Sequence, residues 1–90
     1  MAKTLWMMAF IAQMEIPMEN SQWPDKVKGI LKSELKRRNL TYRDLAERLE
    51  KMGVEEKPEN INNKISRGTF SAVFFIQALT AIGVTEVRLD

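Results

Sequence analysis

Three asparagines fall close together in a short polar segment, at Asn60, Asn62 and Asn63. Asparagine is a poor residue for an ordinary helix surface, because its side chain competes with the backbone for hydrogen bonds. If the segment is helical, a rotation of about 100° per residue points Asn63 away from the buried side, and Asn60 and Arg67 flank it. Asparagine can bond bidentately to adenine, and arginine to guanine, in the major groove. We therefore predict that Asn60, Asn63 and Arg67 contact bases. The alternative is that Asn60 caps a shorter helix and the others are neutral surface.

The start of the preceding predicted helix offers a site for phosphate. Backbone N–H groups near Thr41, Tyr42 and Arg43 have no partner within a helix and can bind an anion. The Tyr42 hydroxyl can donate to the same phosphate, and Arg43 adds positive charge. Together with Lys64, on the shoulder of the asparagine-rich helix, these residues are the predicted phosphate contacts. Packing of Tyr42 against the first helix is an equally weighted alternative.

Missing residue types exclude several kinds of chemistry. The chain of 90 residues contains no His and no Cys. Cys/His zinc sites, haem ligation by His, Ser-His-Asp systems and disulfides are therefore excluded. The four glycines lie too far apart for a phosphate-binding glycine loop. We predict a protein that is not an enzyme, with no catalytic residue, metal or cofactor. The absence of Cys is compatible with a cytoplasmic location, which we expect.

Positive charge is concentrated in one stretch. The net charge is +2, but residues 26–43 hold seven basic residues against Glu34 alone, a local +6. Such a segment beside a short polar helix is typical of a nucleic-acid-binding surface. A solvated helix face is the simpler explanation. Glu55, Glu56 and Glu59 cluster at the start of the third predicted helix, where carboxylates favour the helix dipole but repel DNA phosphate.

Periodicity and capping residues predict four helices between residues 23 and 83. The first begins near Pro24 and ends at residues 39–40, and the second is capped by Thr41, with Asp44 completing a capping box, and ends at Gly53. The third runs from Pro58 to Gly68, with two isoleucines four residues apart facing inward.

The fourth predicted helix begins after Thr69 or Ser71 and ends at Gly83. Because it is apolar on nearly all sides, we expect it to be the central buried helix. Beyond it, Val87 and Leu89 share one face at period two, which indicates a short strand or an extended tail.

Residues 1–22 differ from the rest of the chain. They contain five of the six methionines and, at residues 5–12, eight consecutive apolar residues. That run is too short to span a bilayer, which needs about 20 residues, so we predict no membrane span. We predict two parts: an apolar N-terminal extension (1–22), helical or self-associating, and a helix-turn-helix domain (23–90). A protein partner could bind through residues 1–22 or 84–90.

Residues 40–49 (LTYRDLAERL) resemble the second helix of lambda-repressor-like, Cro/C1-type helix-turn-helix domains. Residues 65–68 (ISRG) resemble the end of their recognition helix, and residues 79–84 (LTAIGV) the end of their fourth helix. Residues 23–84 also resemble a family of small, mostly bacterial domains of unknown function. The positions that carry this second likeness are Trp23, Val27, Lys28, Leu31, Lys32, Glu34, Leu35, Arg37, Thr41, Tyr42, Leu45, Leu49, Gly53, Asn60, Asn63, Lys64, Arg67, Gly68, Phe70, Ala72 and Phe74.

The resemblance to Cro/C1-type domains implies an all-α, four-helix fold and a DNA-binding transcriptional regulator of bacterial or phage type. It implies a homodimer on double-stranded DNA, with the third helix (58–67) in the major groove. The sequence departs from that pattern in three ways. Ser66 stands where a Glu is usual, the inward pair Ile61 and Ile65 is four rather than three residues apart, and no fifth helix follows.

A second hypothesis is a protein-interaction or oligomerisation module that keeps the helix-turn-helix shape without binding DNA. The apolar N-terminal residues and the acidic turn favour it. Single-stranded RNA binding is a distant third, because most of the Phe residues are predicted to be core rather than stacking surface.

Overall fold

The computed structural model describes residues 22–89. It contains four α-helices: α1 (Gln22–Arg37), α2 (Tyr42–Lys51), α3 (Pro58–Arg67) and α4 (Ala72–Ala81). No strand forms within these residues. The predicted all-α class and the number and order of helices are therefore confirmed. Each predicted helix end, at residues 39–40 and at the later glycines, lies within three residues of the observed one.

One hydrophobic core joins all four helices. Five of its side chains are completely buried: Leu31, Leu45, Leu49, Ile61 and Ile65. α1 and α2 each pack against both α3 and α4. No polar or charged residue is buried among residues 22–89, so the core depends on apolar packing rather than on an internal polar network.

Three of the helices end with the same hydrogen-bond pattern. A residue with positive φ follows the last turn, and the next N–H reaches back to a carbonyl five residues earlier, as in the Schellman motif. In α1 this residue is Asn39 (φ 56°), and Leu40 N–H donates to the Leu35 carbonyl at 2.9 Å. The corresponding bonds after α2 and α4 run from Val54 to Leu49 and from Val84 to Leu79. The N–H donor in each case belongs to an apolar residue packed on the core, so the chain turns inward where each of these helices ends.

The end of α3 packs directly on the start of α1. Gly68 has φ 66° and is buried. A Cβ at this position would lie 2.8 Å from the carbonyl carbon of Pro24 and 2.9 Å from its Cβ. Nearby, Lys28 Nζ donates to the Ser66 carbonyl at 3.4 Å. Gly68 therefore permits a close approach that no side chain could share.

Within residues 22–89, α4 is buried on one side only and not on nearly all sides as predicted. Phe74, Ala78 and Leu79 are buried, but Val73 is 66% exposed and Ile76 is 59% exposed. The reason is that α4 packs on α1 and α2 along one side, and no other described element covers its outer face. Its N-cap is Ser71 rather than Thr69, and the Ser71 hydroxyl accepts from Phe74 N–H at 3.0 Å.

The predicted C-terminal strand does not form. Residues 84–89 have no regular secondary structure, and residues 22–89 hold no other strand with which they could pair. Val84 and Val87 pack against the core, whereas Leu89 is 66% exposed. Val87 and Leu89 therefore do not share a buried face, and the extended-tail alternative describes this segment.

The predicted N-terminal extension lies outside the described residues, except for Gln22, which begins α1. In the part of the chain that is described, no helix combines the length and the apolar content needed to cross a bilayer.

Gly68 and Gly53 form a matched pair for testing the contact with Pro24. Both have positive φ, but a Cβ at Gly53 would meet nothing within 4 Å. Gly53→Ala should lower the free energy of unfolding by about 1–2 kcal/mol, the cost of a left-handed alanine. Gly68→Ala should cost about 1–3 kcal/mol more, because its methyl group overlaps Pro24. Urea denaturation of both variants measures the difference, and equal losses would show that the backbone of Pro24 simply moves aside.

Candidate nucleic-acid interface

The outer face of α3 is polar and open to solvent. Ile61 and Ile65 are fully buried, and they fix which side of the helix faces inward. The exposed residues of α3 are Glu59, Asn60, Asn62, Asn63, Ser66 and Arg67. The spacing of four between the two isoleucines therefore does orient α3 so that its amide groups face outward.

Asn63 and Arg67 lie together on this face. Arg67 Nε donates to the Asn63 carbonyl at 3.3 Å, and Ser66 Oγ donates to Asn62 Oδ1 at 3.2 Å. Asn63, Ser66 and Arg67 line one shallow cleft. These hydrogen bonds run along one turn of the helix, so they hold the polar side chains close to the helix surface and leave the Asn63 amide available.

Asn60 lies in a different groove, between α2 and the start of α3, which it shares with Arg43. Glu47, Glu50 and Glu55 line the same groove. A predicted base contact and a predicted phosphate contact are thus brought together, but in strongly acidic surroundings. Carboxylates at this position repel a phosphate backbone.

Lys64 is engaged within the fold. Its ammonium group is paired with the Glu56 carboxylate and lies 4.6 Å from the centre of the Phe74 ring. Only 32% of the Lys64 side chain and 14% of the Glu56 side chain are exposed. Lys64 therefore fastens the α2–α3 turn to α3 and α4, and it does not line the cleft that Asn63 and Arg67 share. The two partners are eight residues apart across a turn, a distance that helix periodicity does not predict.

Thr41 and Asp44 form the predicted capping box at the start of α2. Thr41 Oγ accepts from Asp44 N–H at 3.1 Å, and Asp44 Oδ2 accepts from Thr41 N–H at 2.9 Å. Hydrogen bonds from the backbone and side chain of Thr41, with weaker attraction from Arg48 and Arg43, hold the pKa of Asp44 below its ordinary value. The Thr41 hydroxyl therefore caps the helix, and any contact that it makes with phosphate is additional to that role.

Tyr42 is half-buried and packs against the core. Burial raises the pKa of its phenol, which therefore stays protonated and able to donate a hydrogen bond at neutral pH. Tyr42 and Thr41 line a groove where the end of α1 meets the start of α2, and Lys32 and Lys36 lie on its other side. The N-terminus of α2 thus faces two lysines that are one turn apart.

Ion pairs engage several of the charges in the basic segment, residues 26–43. Glu34 binds both Arg38, at 2.5 Å, and Arg37, at 3.4 Å. Lys28 pairs with Asp25 at 3.4 Å. Among the described residues, neither Lys32 nor Lys36 has a hydrogen bond or an ion pair. Lys32 was not among the site residues predicted from the sequence. Two features of the sequence could have identified it. Lys32 is four residues from Lys36, and no acidic residue lies three or four residues from either lysine.

Within residues 22–89, no group of carboxylates is arranged to hold a metal ion. The fold and this surface define a small four-helix domain whose third helix presents an amide-rich outer face. The family model described as "Domain of unknown function (DUF6471)" matches residues 23–87, and the chain belongs to that family. The resemblance to a family of domains of unknown function is confirmed by this match. Comparison with curated proteins and with solved structures gives no match.

Asp44→Asn should make stability less dependent on pH. The pKa of Asp44 is lower in the folded chain than the ordinary 3.8, so its charge stabilises the fold above about pH 4. That contribution is lost as pH falls through the folded pKa. The difference in unfolding free energy between the native chain and Asp44→Asn should therefore be constant near neutral pH and shrink in acid. Urea denaturation between about pH 7 and pH 2 measures it.

Thr41→Ala supplies the control for this measurement. It removes the hydroxyl of the capping box, so in its background Asp44→Asn should produce a smaller change with pH. A difference that is the same at every pH would contradict the assignment of the stabilisation to the charged carboxylate.

Proposed function

We propose that this domain binds double-stranded DNA as a transcriptional regulator, with a lambda-repressor-like arrangement in which α3 enters the major groove. The observation that carries the proposal is the outward face of α3, where Asn63 and Arg67 share one exposed cleft opposite the buried Ile61 and Ile65. A major groove about 12 Å wide admits an α-helix, and asparagine and arginine are suited to adenine and guanine. In this proposal Asn63 and Arg67 contact bases, and Asn60 does so from the edge of the surface.

The start of α2 supports the proposal by offering a place for the DNA backbone. The first N–H groups of a helix attract phosphate, and Lys32 and Lys36 stand on the opposite side of the same groove. A phosphate seated there would accept hydrogen bonds from the Tyr42 hydroxyl and from the backbone N–H groups of Tyr42 and Arg43, because Asp44 N–H is already bonded to Thr41 Oγ. Arg43 would reach the neighbouring stretch of backbone, while Lys64 would act mainly by holding the α2–α3 turn.

A domain of this size contacts few phosphates, so tight binding requires a second copy. We therefore propose a homodimer on a DNA site with two-fold symmetry, as expected for a bacterial or phage regulator acting in the cytoplasm. The spacing of the two half-sites would then report the distance between the two α3 helices.

Lys36→Gln tests the phosphate contact. Binding of the full chain to random double-stranded DNA should weaken as salt rises, and Lys36→Gln should reduce the slope of log K against log salt by about one unit. Lys51→Gln removes the same charge from the far end of α2 and should leave the slope unchanged. Equal effects of the two variants would show that only overall charge matters, and no binding at low salt would refute the proposed function.

Asn63→Ala tests base recognition. Selection and sequencing of the bound DNA should first yield a two-fold motif. On that motif, Asn63→Ala should weaken binding by about 1–3 kcal/mol, and it should leave binding to unrelated DNA unchanged. Asn62→Ala is the control. It changes helix propensity in the same way, but Asn62 lies on the shoulder of α3, so this variant should weaken binding less. Equal losses on cognate and unrelated DNA would mean that Asn63 does not read sequence.

A protein-interaction module is the second candidate, and the acidic groove between α2 and α3 favours it. Glu47, Glu50 and Glu55 there would attract a basic partner and repel DNA. The same salt titration separates the two functions, because under this alternative the chain would not bind DNA even at low salt.

A further inference from the structure

The outer face of α4 carries two large apolar side chains that nothing described covers. Val73 and Ile76 are three residues apart and therefore adjacent on the helix surface. They are 66% and 59% exposed, while the opposite face of the same helix is buried in the core. Isolated exposed apolar residues are normal, but two neighbours on one helix face form a patch that gains by leaving water.

The chain enters the described fold at α1, whose first turn contacts the segment that leads into α4. Pro24, in the first turn of α1, lies against Gly68. Gly68 is four residues before Ala72, which begins α4. Gln22, where the preceding residues join the fold, is therefore two residues from a contact with Gly68, and Gly68 is five residues before Val73 in the chain.

Residues 5–12 are the segment of this chain with the chemistry to cover that patch. They are eight consecutive apolar residues, including Trp6, and the chain joins them to Gln22 through residues 13–21. Nine residues can extend over about 30 Å, whereas the ten residues of α4 are about 15 Å long. The linking residues are therefore long enough to bring residues 5–12 to the outer face of α4.

We propose that the outer face of α4, formed by Val73 and Ile76, is the docking surface for residues 5–12 of the same chain. The short connection makes the encounter intramolecular, with an effective concentration in the millimolar range. A second copy would have to reach that concentration in solution to compete. The proposal concerns a surface separate from the α3 face, so it stands or falls independently of DNA binding.

Fluorescence of Trp6 in the full-length chain tests the docking. Trp23→Phe leaves Trp6 as the single tryptophan. In this background the Trp6 emission should have the short wavelength typical of a buried indole. Adding Val73→Asp should shift it to longer wavelength, because a carboxylate cannot be buried there and the ratio of docked to undocked chains should fall at least about tenfold. Val73 is in the first turn of α4, where a carboxylate favours the helix, so the fold itself should persist.

Leu89→Asp is the matched control, because Leu89 is also 66% exposed but lies outside α4. It should leave the Trp6 emission unchanged. Circular dichroism of both variants should match that of the Trp23→Phe chain. The proposal would be overturned if Trp6 in the Trp23→Phe chain already emits at the long wavelength of a water-exposed indole, or if Leu89→Asp causes an equal shift.

Sedimentation over a wide range of protein concentration separates docking within a chain from docking between chains. The emission of Trp6 should not depend on concentration if residues 5–12 bind their own α4. A buried emission that appears only as dimers form, and is lost with the dimers in Val73→Asp, would overturn the assignment to the same chain.

Discussion

The close approach of Gly68 to Pro24 is the constraint on which the rest of the domain depends. It fastens the end of α3 to the start of α1, and only a residue without a side chain permits it. Because Ile61 and Ile65 are buried at the same time, both the position and the rotation of α3 are fixed. The polar face of α3 is therefore a rigid surface, which is what recognition of a fixed pattern of base edges requires.

The described domain presents two surfaces with different chemistry. One is formed by the amides and the guanidinium of α3. The other is the apolar face of α4. The core between them has no buried polar group among the described residues, so no internal hydrogen-bond network couples the two surfaces.

Helix boundaries were predictable because their causes are local. The Thr41–Asp44 capping box, Pro58 at the start of α3 and the residues with positive φ after each helix act within a few residues, and all were visible in the sequence. The rotation of α3 was predictable for the same reason. Burial of α4 was not, because an apolar composition does not show how many neighbours a helix has. Whether Val87 and Leu89 form a strand likewise depended on whether a partner strand existed.

The candidate site was less predictable from the sequence. Which of its charges are engaged depends on ion pairs, some between residues distant in sequence and others competing for one carboxylate. Glu34 can bind either neighbouring arginine, and the structure shows it bound to both, which leaves Lys32 and Lys36 as the exposed lysines of α1 without an ion pair. Lys64 pairs with Glu56 only because the α2–α3 turn folds back. Thus a count of basic residues located the positive segment, but only the fold shows which of its charges a ligand would meet.

The backbone motifs that end α1, α2 and α4 bear on the order in which the domain assembles. Each closes a ring of six residues, so it can form as soon as its own helix does and needs no distant partner. Elements with such local contacts form quickly. The contact between Pro24 and Gly68 joins the first and third helices and must wait for them. We therefore expect docking of α1 on α3 to be a late step, so that weakening it would act mainly by accelerating unfolding rather than by slowing folding.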